Sequence, residues 1–401
     1  MVFSVLFEVV IRRRRFHNIA ESNRALLIGL FILFAIQVAA SGLYTRSTEY
    51  WKWKLALFIA FNMSNFLIPF LIFTKKDVRN FIIGSIVVFI TGNIALLLSL
   101  HKYGMAYFFM GEEGLGLTYL SWGTFYGANG LLFSGLLLEG LDANRKSRLL
   151  KRVLLLSISF VSFGFCVISG ARGPAVFFGI CFGGLLYKAR QWKTICIYLV
   201  LFGLFIIAVV SKDVLVGADR SYFGNIRRFA LLTDPASRSV GDRLSMMSQS
   251  IEFISEKPFL GYGIGSFSII TRHTDGRGYP HNIFLEVWLE NGLIAALSLF
   301  IFLCVSLYYC FSKLDRPFPY VKPLFWINLF FLMNCLKSYA ITDARSFFLY
   351  LGIMLSMVLI ERKEYPFAKN GGPALLARAA LTLSLHEKYE DRNKKLSEPH
   401  G

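Results

Sequence analysis

The chain has 401 residues, of which 55% are hydrophobic, 16% aromatic and only 17% charged. About a quarter of the residues in soluble domains are charged, so this composition argues against a soluble fold. A net charge of +18 would suggest nucleic-acid binding in a soluble protein, but most basic residues lie in short segments between apolar runs. Such charges orient membrane spans, and the sequence therefore predicts an all-α polytopic membrane protein that binds no nucleic acid.

The first segment in chain order, 1–24, has its apolar residues ahead of the four Arg residues at 12–15. A signal peptide has the opposite order, so we expect a cytoplasmic segment rather than a cleaved leader. Ten apolar runs then approach the roughly 20 residues that cross a bilayer as a helix. They lie at 25–44, 53–73, 79–100, 117–138, 153–169, 174–188, 194–211, 283–311, 323–341 and 345–361.

The loops between these runs alternate between strongly and weakly basic, which places both termini in the cytoplasm by the positive-inside rule. Spans one to seven then occupy 25–211 and spans eight to ten occupy 283–361, so the long loop at 212–282 is periplasmic. Its basic residues are seven Arg and two Lys. The planar guanidinium of Arg can donate two parallel hydrogen bonds to a phosphate or a carboxylate. These Arg residues could equally pair with the seven acidic residues of the loop. We expect the tail at 362–401 to be cytoplasmic and partly disordered.

Apolar residues recur at helical spacing inside the long loop, which predicts an amphipathic helix, suited to lying on the membrane surface. Ser239 or Asp242 is the expected N-cap of this helix, and Pro258 ends it. The apolar positions are Leu244, Met247, Ile251 and Ile254.

Three alternating glycines, Gly261, Gly263 and Gly265, follow that helix. Such a run permits positive φ, and its backbone N–H groups can form a nest that binds an anion. A tight turn between two elements is the other interpretation, and the glycine spacing alone favours the turn. The run lacks the spacing and the surrounding strand and helix of a dinucleotide-binding fingerprint.

Ionisable residues flank this glycine run in an otherwise apolar chain, where such residues are costly and indicate function. His281 follows Pro280 at the re-entry into the membrane, and Glu286 and Glu290 lie on the wall of the next span. A neighbouring Arg would depress the pKa of His281 and keep the imidazole neutral. Arg172 lies between Gly and Pro residues in a short loop that faces the same compartment.

Together these residues resemble the O-antigen ligase and polymerase superfamily. Members are integral membrane glycosyltransferases of the bacterial inner membrane that take a glycan from undecaprenyl diphosphate on the periplasmic side. Polymerases pass it to the next lipid-linked repeat unit, and ligases pass it to lipid A-core. The resemblance is carried by Arg243, by 258–265, by His281 and Asn282 with 285–286 and 291–294, and by 169–173, which is similar to a short Ser-x-x-Arg motif.

The resemblance implies a lipid-linked glycan donor and a glycan or lipid A-core acceptor as partners, with polysaccharide assembly proteins as further candidates. The stretch 281–286 is more similar to polymerases, which slightly favours a polymerase over a ligase. The resemblance also allows twelve spans instead of ten, if a short pair lies in 1–24 or 101–116.

The superfamily's functional Arg, Arg and His fall by motif on Arg172, Arg243 and His281. We expect the two Arg residues to stabilise the charge of the diphosphate and His281 to deprotonate the acceptor hydroxyl. No metal or other cofactor is expected, since the chain has no Asp-x-Asp motif and no His, Cys or Asp cluster with ligand spacing. The candidate substrate-binding residues are Gly261, Tyr262, Gly263, Gly265, Arg272, Asn282 and Glu286.

Two other classes compete with an enzyme. A transporter or lipid flippase would account for the spans, but transporters often show paired halves, and no internal repeat is visible here. A non-catalytic assembly protein would explain the spans but not the joint Arg, Gly and His motifs.

Overall fold

A computed structural model of the chain describes residues 22–103, 119–139, 148–194 and 238–364, apart from 170, 313 and 315–319, with a few single positions between 196 and 204. Every regular element within these ranges is a helix. The chain divides into two units, Met1–Val358 and Leu359–Gly401, and the second is described only as the end of the last helix.

The α-helices are α1 Ser22–Ala40, α2 Tyr50–Leu57, α3 Ser64–Ile72, α4 Lys75–Tyr103, α5 Tyr119–Glu139, α6 Arg148–Ile168, α7 Arg172–Lys188, α8 Arg238–Glu256, α9 Phe267–Arg272, α10 Ile283–Phe311, α11 Val321–Lys337 and α12 Arg345–Glu364. A π-helical stretch, Phe58–Met63, joins α2 to α3, and the short 3-10 helices Ser41–Leu43 and Ile341–Asp343 follow α1 and α11.

Four helical stretches in the described ranges are long and apolar enough to cross a membrane, and two shorter apolar helices accompany them. This agrees with the predicted all-helical membrane protein, while the count of ten or twelve spans and their orientation stay predictions. The span expected at 194–211 lies largely outside the described residues. The four stretches are Asn23–Leu43, Tyr50–Ile72, Asn80–Lys102 and Ile283–Phe311, and the shorter helices are Val153–Ile168 and Arg345–Leu359.

An aromatic cluster joins α1, α3, α10 and α12. The ring of Phe31 lies 4.3 Å from that of Phe66, 5.3 Å from Phe302 and 5.8 Å from Phe348 between centroids. All four side chains are fully buried. In a bilayer, where lipid is as apolar as the side chains, such close packing is what holds helices together.

Glycines on one side of α5 allow two other helices to approach closely. A Cβ on Gly127 would lie 2.4 Å from Cζ of Phe330 in α11, and a Cβ on Gly123 would lie 2.4 Å from Cβ of Ala171, just before α7. Small residues spaced in this way are typical of helix contacts in membranes. α5 thereby fixes α11 and the start of α7 side by side.

The amphipathic helix predicted in the long loop is present as α8, but the predicted N-cap is wrong. Ser239 and Asp242 lie inside the helix, which begins at Arg238, so neither is its N-cap. The buried face is centred on Ile254, whereas Leu244 and Ile251 are 58% and 56% exposed. Helical spacing identified the helix, but it could not show which apolar side would pack against protein.

Candidate functional site

Three helix ends meet at the candidate site. Arg172 is the first residue of α7, Lys337 is the last residue of α11, and His281 immediately precedes Asn282, the N-cap of α10. Arg172 therefore begins a helix instead of lying in a loop. The ammonium group of Lys337 lies over the same helix start, because a Cβ on Gly173 would come within 2.9 Å of its Nζ.

Arg243, on α8, extends this group of cations toward His281. Its positive charge acts on both His281 and Lys337, and the charge of Arg172 also acts on Lys337. Across the described parts of the chain, no carboxylate forms an ion pair with Arg243 or Lys337. Like charges repel one another, so a bound anion would stabilise this arrangement.

The backbone and ring of His281 are held in an unusual geometry. Its φ of 60° lies in the left-handed region that residues other than Gly rarely adopt. The imidazole is hydrogen-bonded to the backbone of Ser338, and the ring of Tyr279 packs 4.5 Å away between centroids. Nδ1 is buried and has no hydrogen-bond partner among the residues described.

Nδ1 of His281 is the ring nitrogen that fits a proton acceptor. It is buried and has no hydrogen-bond partner among the described residues. In neutral histidine one ring nitrogen carries a lone pair, so a tautomer protonated on Nε2 would leave Nδ1 able to accept a proton.

The surroundings of His281 favour this neutral form. Burial of the imidazole lowers the pKa of His281 below its ordinary value of 6.5, and the positive charge of Arg243 lowers it further. Arg272 acts in the same direction, while the Ser338 carbonyl and the negative charge of Asp343 oppose the shift without reversing it. The lowered pKa agrees with the prediction, although burial contributes more than the neighbouring Arg.

The glycine run packs against the rest of the protein through its backbone. The N–H groups of Tyr262 and Gly263 donate to the carbonyls of Leu289 and Glu290 at 2.9 and 2.8 Å, and that of Ile264 donates to Oγ of Ser41 at 3.2 Å. Gly261 donates to the carbonyl of Lys257. These donors already have partners, which favours the tight-turn interpretation over an anion-binding nest.

A kink in α10 makes this docking possible. Gly292 has φ 81° and ψ 179°, and the N–H of Leu293 donates to the carbonyls of Pro258 and Phe259 instead of bonding within the helix. A Cβ on Gly263 would lie 2.2 Å from Cα of Thr45, so glycine is required for the close approach. Packing thus accounts for the glycine at 263, and the substrate-binding role of Gly261, Gly263 and Gly265 stays a prediction.

Tyr262 is also part of this packing. Only 3% of it is exposed, and it lies in a cluster with Ile254, Phe267 and Leu289. Its hydroxyl donates to the carboxylate of Glu256. These contacts give Tyr262 a structural role, and its contact with substrate stays a prediction.

Asn282 and Glu286 likewise have structural partners. The side-chain oxygen of Asn282 accepts hydrogen bonds from the N–H groups of Phe284 and Leu285, which makes it the N-cap of α10. Glu286 accepts a hydrogen bond from the N–H of Ile341 at 2.7 Å and is fully buried. These contacts give both residues structural roles, and their substrate-binding roles stay predictions.

Glu286 instead belongs to a buried ion triad that the sequence did not predict. Nζ of Lys54, on α2, lies 2.6 Å from the carboxylate of Glu286 and 2.7 Å from that of Glu290, and all three side chains are 1% exposed. The sequence predicted Glu286 only as a candidate substrate-binding residue. Lys54 lies at the start of the apolar run at 53–73, and no local sequence pattern indicates its distant partners.

Arg272 stays a candidate substrate-binding residue. It is exposed at the end of α9, donates to Sδ of Met246 at 3.8 Å and acts electrostatically on His281. The residues described contain no group of three or more His, Cys, Asp or Glu side chains that could hold a metal ion.

Lys337 is the functional candidate that the sequence reading missed. A single Lys at the end of an apolar run is commonly explained by its side chain reaching the membrane surface. The predicted topology could have indicated Lys337. It lies at the same end of the predicted spans as Arg172 and as 342–344, the loop between the last two spans. A basic residue there runs against the positive-inside pattern.

Comparisons with known proteins agree with the resemblance carried by the motifs. Residues 157–300 match a family model described as O-Antigen ligase, an interval that contains Arg172, Arg243 and His281 and ends before Lys337. The ComP-specific O-oligosaccharyltransferase of Acinetobacter baylyi (strain ATCC 33305 / BD413 / ADP1) is 28% identical over 148 residues. That match covers 28% of this chain and 27% of the relative, so it spans about a quarter of the relative's length.

Proposed function

We propose that this chain, which belongs to the O-antigen ligase superfamily, is a membrane glycosyltransferase that moves a glycan from undecaprenyl diphosphate to an acceptor hydroxyl on the periplasmic side. The observation that carries the proposal is the meeting of a neutral imidazole, whose Nδ1 has no hydrogen-bond partner within the described ranges, with Arg243 and the cationic start of α7. A proton acceptor beside fixed cations fits a reaction that removes one proton and releases a polyanion.

In the proposed reaction, the acceptor hydroxyl gives its proton to Nδ1 of His281 while its oxygen attacks the anomeric carbon of the donor. The bond between that carbon and the phosphate oxygen breaks, and the diphosphate leaves with the electron pair. General-base assistance of this kind typically contributes about 10²–10⁴-fold to the rate. Arg172 and Arg243 stabilise the charge that develops on the leaving group, and they do so without reorganising during the reaction.

The acceptor is proposed from the description of the matched family. The stretch 281–286 favoured a polymerase, but Asn282 caps α10 and Glu286 pairs with Lys54, so these two residues do not indicate an acceptor. The matched family is described as O-Antigen ligase, which supports a ligase, and lipid A-core is the acceptor that we propose for it. We therefore propose ligation first, with polymerisation of lipid-linked repeat units as the second candidate.

Deletion of the gene in its host, followed by complementation, tests this proposal. Bare lipid A-core after deletion supports a ligase, a single repeat unit on the surface supports a polymerase, and unchanged surface glycan contradicts both. Arg172→Lys should fail to complement, because Lys cannot supply the bidentate fork that Arg offers to phosphate.

Arg190→Lys is the matched control for that variant, because Arg190 is exposed just beyond the other end of α7. It should restore surface glycan fully. Full complementation by both variants, at equal protein levels in the membrane, would show that Arg172 only anchors the helix.

A further inference from the structure

Lys337 occupies a position that is electrostatically unfavourable in the protein alone. Its ammonium group lies against the start of α7, with Nζ 2.9 Å from the place that a Cβ on Gly173 would take and 5.9 Å from the ring centroid of Phe177. α7 begins without a side-chain N-cap. The first turn of a helix carries a partial positive charge, so a cation there is repelled rather than stabilised.

Two further cations add to this repulsion. The positive charges of Arg243 and Arg172 both act on Lys337, and no carboxylate in the described ranges forms an ion pair with it. The side chain is partly buried, which weakens the screening of these charges by water. Lys337 is also covalently joined to Ser338, whose carbonyl accepts the hydrogen bond from His281.

We propose that Lys337 is a third cationic ligand of the donor's diphosphate, next to Arg172 and Arg243. The inference rests on the proposed function, because it assigns a residue to the same lipid-diphosphate site. A diphosphate presents two phosphate groups, and a single Arg fork engages the oxygens of one of them. Lys337 provides a compact point charge from a different helix, which suits the second phosphate group.

The test measures binding of undecaprenyl diphosphate and undecaprenyl monophosphate to the purified full-length protein in nanodiscs. Lys337→Met should weaken diphosphate binding on the order of tenfold, the usual effect of losing one charged hydrogen bond, and should weaken monophosphate binding less. Lys337→Arg should retain most of the affinity. Lys322→Met removes a Lys from the other end of the same helix and should change neither affinity.

Gly173→Ala provides a second test that keeps the Lys337 side chain. The added Cβ would meet Nζ and displace this flexible end of the side chain, so diphosphate affinity should fall about two- to fivefold. Gly179→Ala, in the same helix with nothing within 4 Å of its Cβ position, is the matched control and should leave affinity unchanged.

Equal affinities for undecaprenyl diphosphate in wild-type, Lys337→Met and Gly173→Ala protein would overturn the inference. An equal loss for both lipids in Lys337→Met would also overturn it, because it would indicate a general structural role. A different result would reject the proposed function itself: wild-type protein would then neither bind undecaprenyl diphosphate nor transfer glycan. If wild-type protein binds and transfers while the Lys337 variants bind normally, only the assignment of Lys337 is wrong.

Discussion

The glycine run and the cluster of Arg243, Lys337 and His281 differ in whether their polar groups have partners within the protein. In the glycine run the N–H groups of 261–264 have partners within the protein, and at the start of α10 so do the Asn282 amide oxygen and the Glu286 carboxylate. In the cluster of Arg243, Lys337 and His281, two cations have no ion-pair partner in the described ranges and Nδ1 has no hydrogen bond.

We infer that this difference separates residues that build the candidate site from residues that act in it. Buried polar groups are nearly always hydrogen-bonded, so an exception calls for an explanation such as a missing ligand or a catalytic role. The residues with internal partners position α8, α10 and the 41–51 segment. We propose that the residues without such partners bind donor and acceptor.

His281→Gln should lower the turnover number by about 10²–10⁴-fold, because Gln cannot accept the acceptor's proton. The melting temperature and the amount of protein in the membrane should stay near those of the wild type. His273→Gln is the control, since His273 is exposed, lies in the same loop and shares the left-handed backbone. Turnover is measured in detergent with purified donor and acceptor. Normal turnover in His281→Gln would show that His281 is not the general base.

Lys54→Met should destabilise the protein by about 3–5 kcal/mol, because it leaves two buried carboxylates without their cation. Turnover per folded molecule should change much less. Lys52→Met is the matched control: Lys52 forms an exposed pair with Glu49, with side chains 57% and 78% exposed, and should contribute no more than about 1 kcal/mol. The measurement is denaturant unfolding in detergent, and equal stability of the two variants would contradict the structural role of the triad.

Gly263→Ala should destabilise the protein by about 1–3 kcal/mol, since its φ of 89° strains any L side chain and the added Cβ meets Thr45. Donor affinity of the folded fraction should remain normal. At Gly276 nothing lies within 4 Å of a Cβ, so Gly276→Ala should be nearly neutral. A Gly263→Ala protein that keeps its melting temperature but loses donor affinity would restore the anion-binding interpretation of the glycine run.

The pH dependence should show the smallest effect. A lowered pKa keeps His281 neutral, so kcat/KM should fall only when the pH drops below 6.5, through the pKa of the folded protein. Arg243→Gln removes the second cause of the lowering and should move this acidic limb to higher pH, while Arg243→Lys keeps the charge and should leave it in place. An acidic limb that does not move in Arg243→Gln would show that Arg243 does not act on the imidazole.

Much of the fold was predictable from composition and periodicity. The apolar runs at 25–44, 53–73 and 283–311 correspond closely to helices of the described chain, because membrane-length apolar segments form helices almost regardless of their tertiary contacts. The bounds of α8 and its buried face were not predictable, since Leu244 and Ile254 are equally apolar and only tertiary packing distinguishes them.

The site was predictable only where its residues lie in motifs. Arg243 and His281 were identified by spacing and resemblance, and the structure brings them together. The triad of Lys54, Glu286 and Glu290 joins residues more than 230 positions apart, and no local pattern indicates such a contact. The role of Lys337 was not predictable from local sequence either, because it depends on the proximity of Gly173 in another helix.

The most direct test of the account is the stoichiometry of the reaction in liposomes that contain the purified protein, a glycan linked to undecaprenyl diphosphate and an acceptor. If the cation cluster and His281 perform glycan transfer, each new glycosidic bond releases one undecaprenyl diphosphate, and both products form about 10²–10⁴-fold more slowly with His281→Gln. Uptake of the lipid-linked glycan into the vesicles, without release of undecaprenyl diphosphate, would contradict the account and identify a transporter.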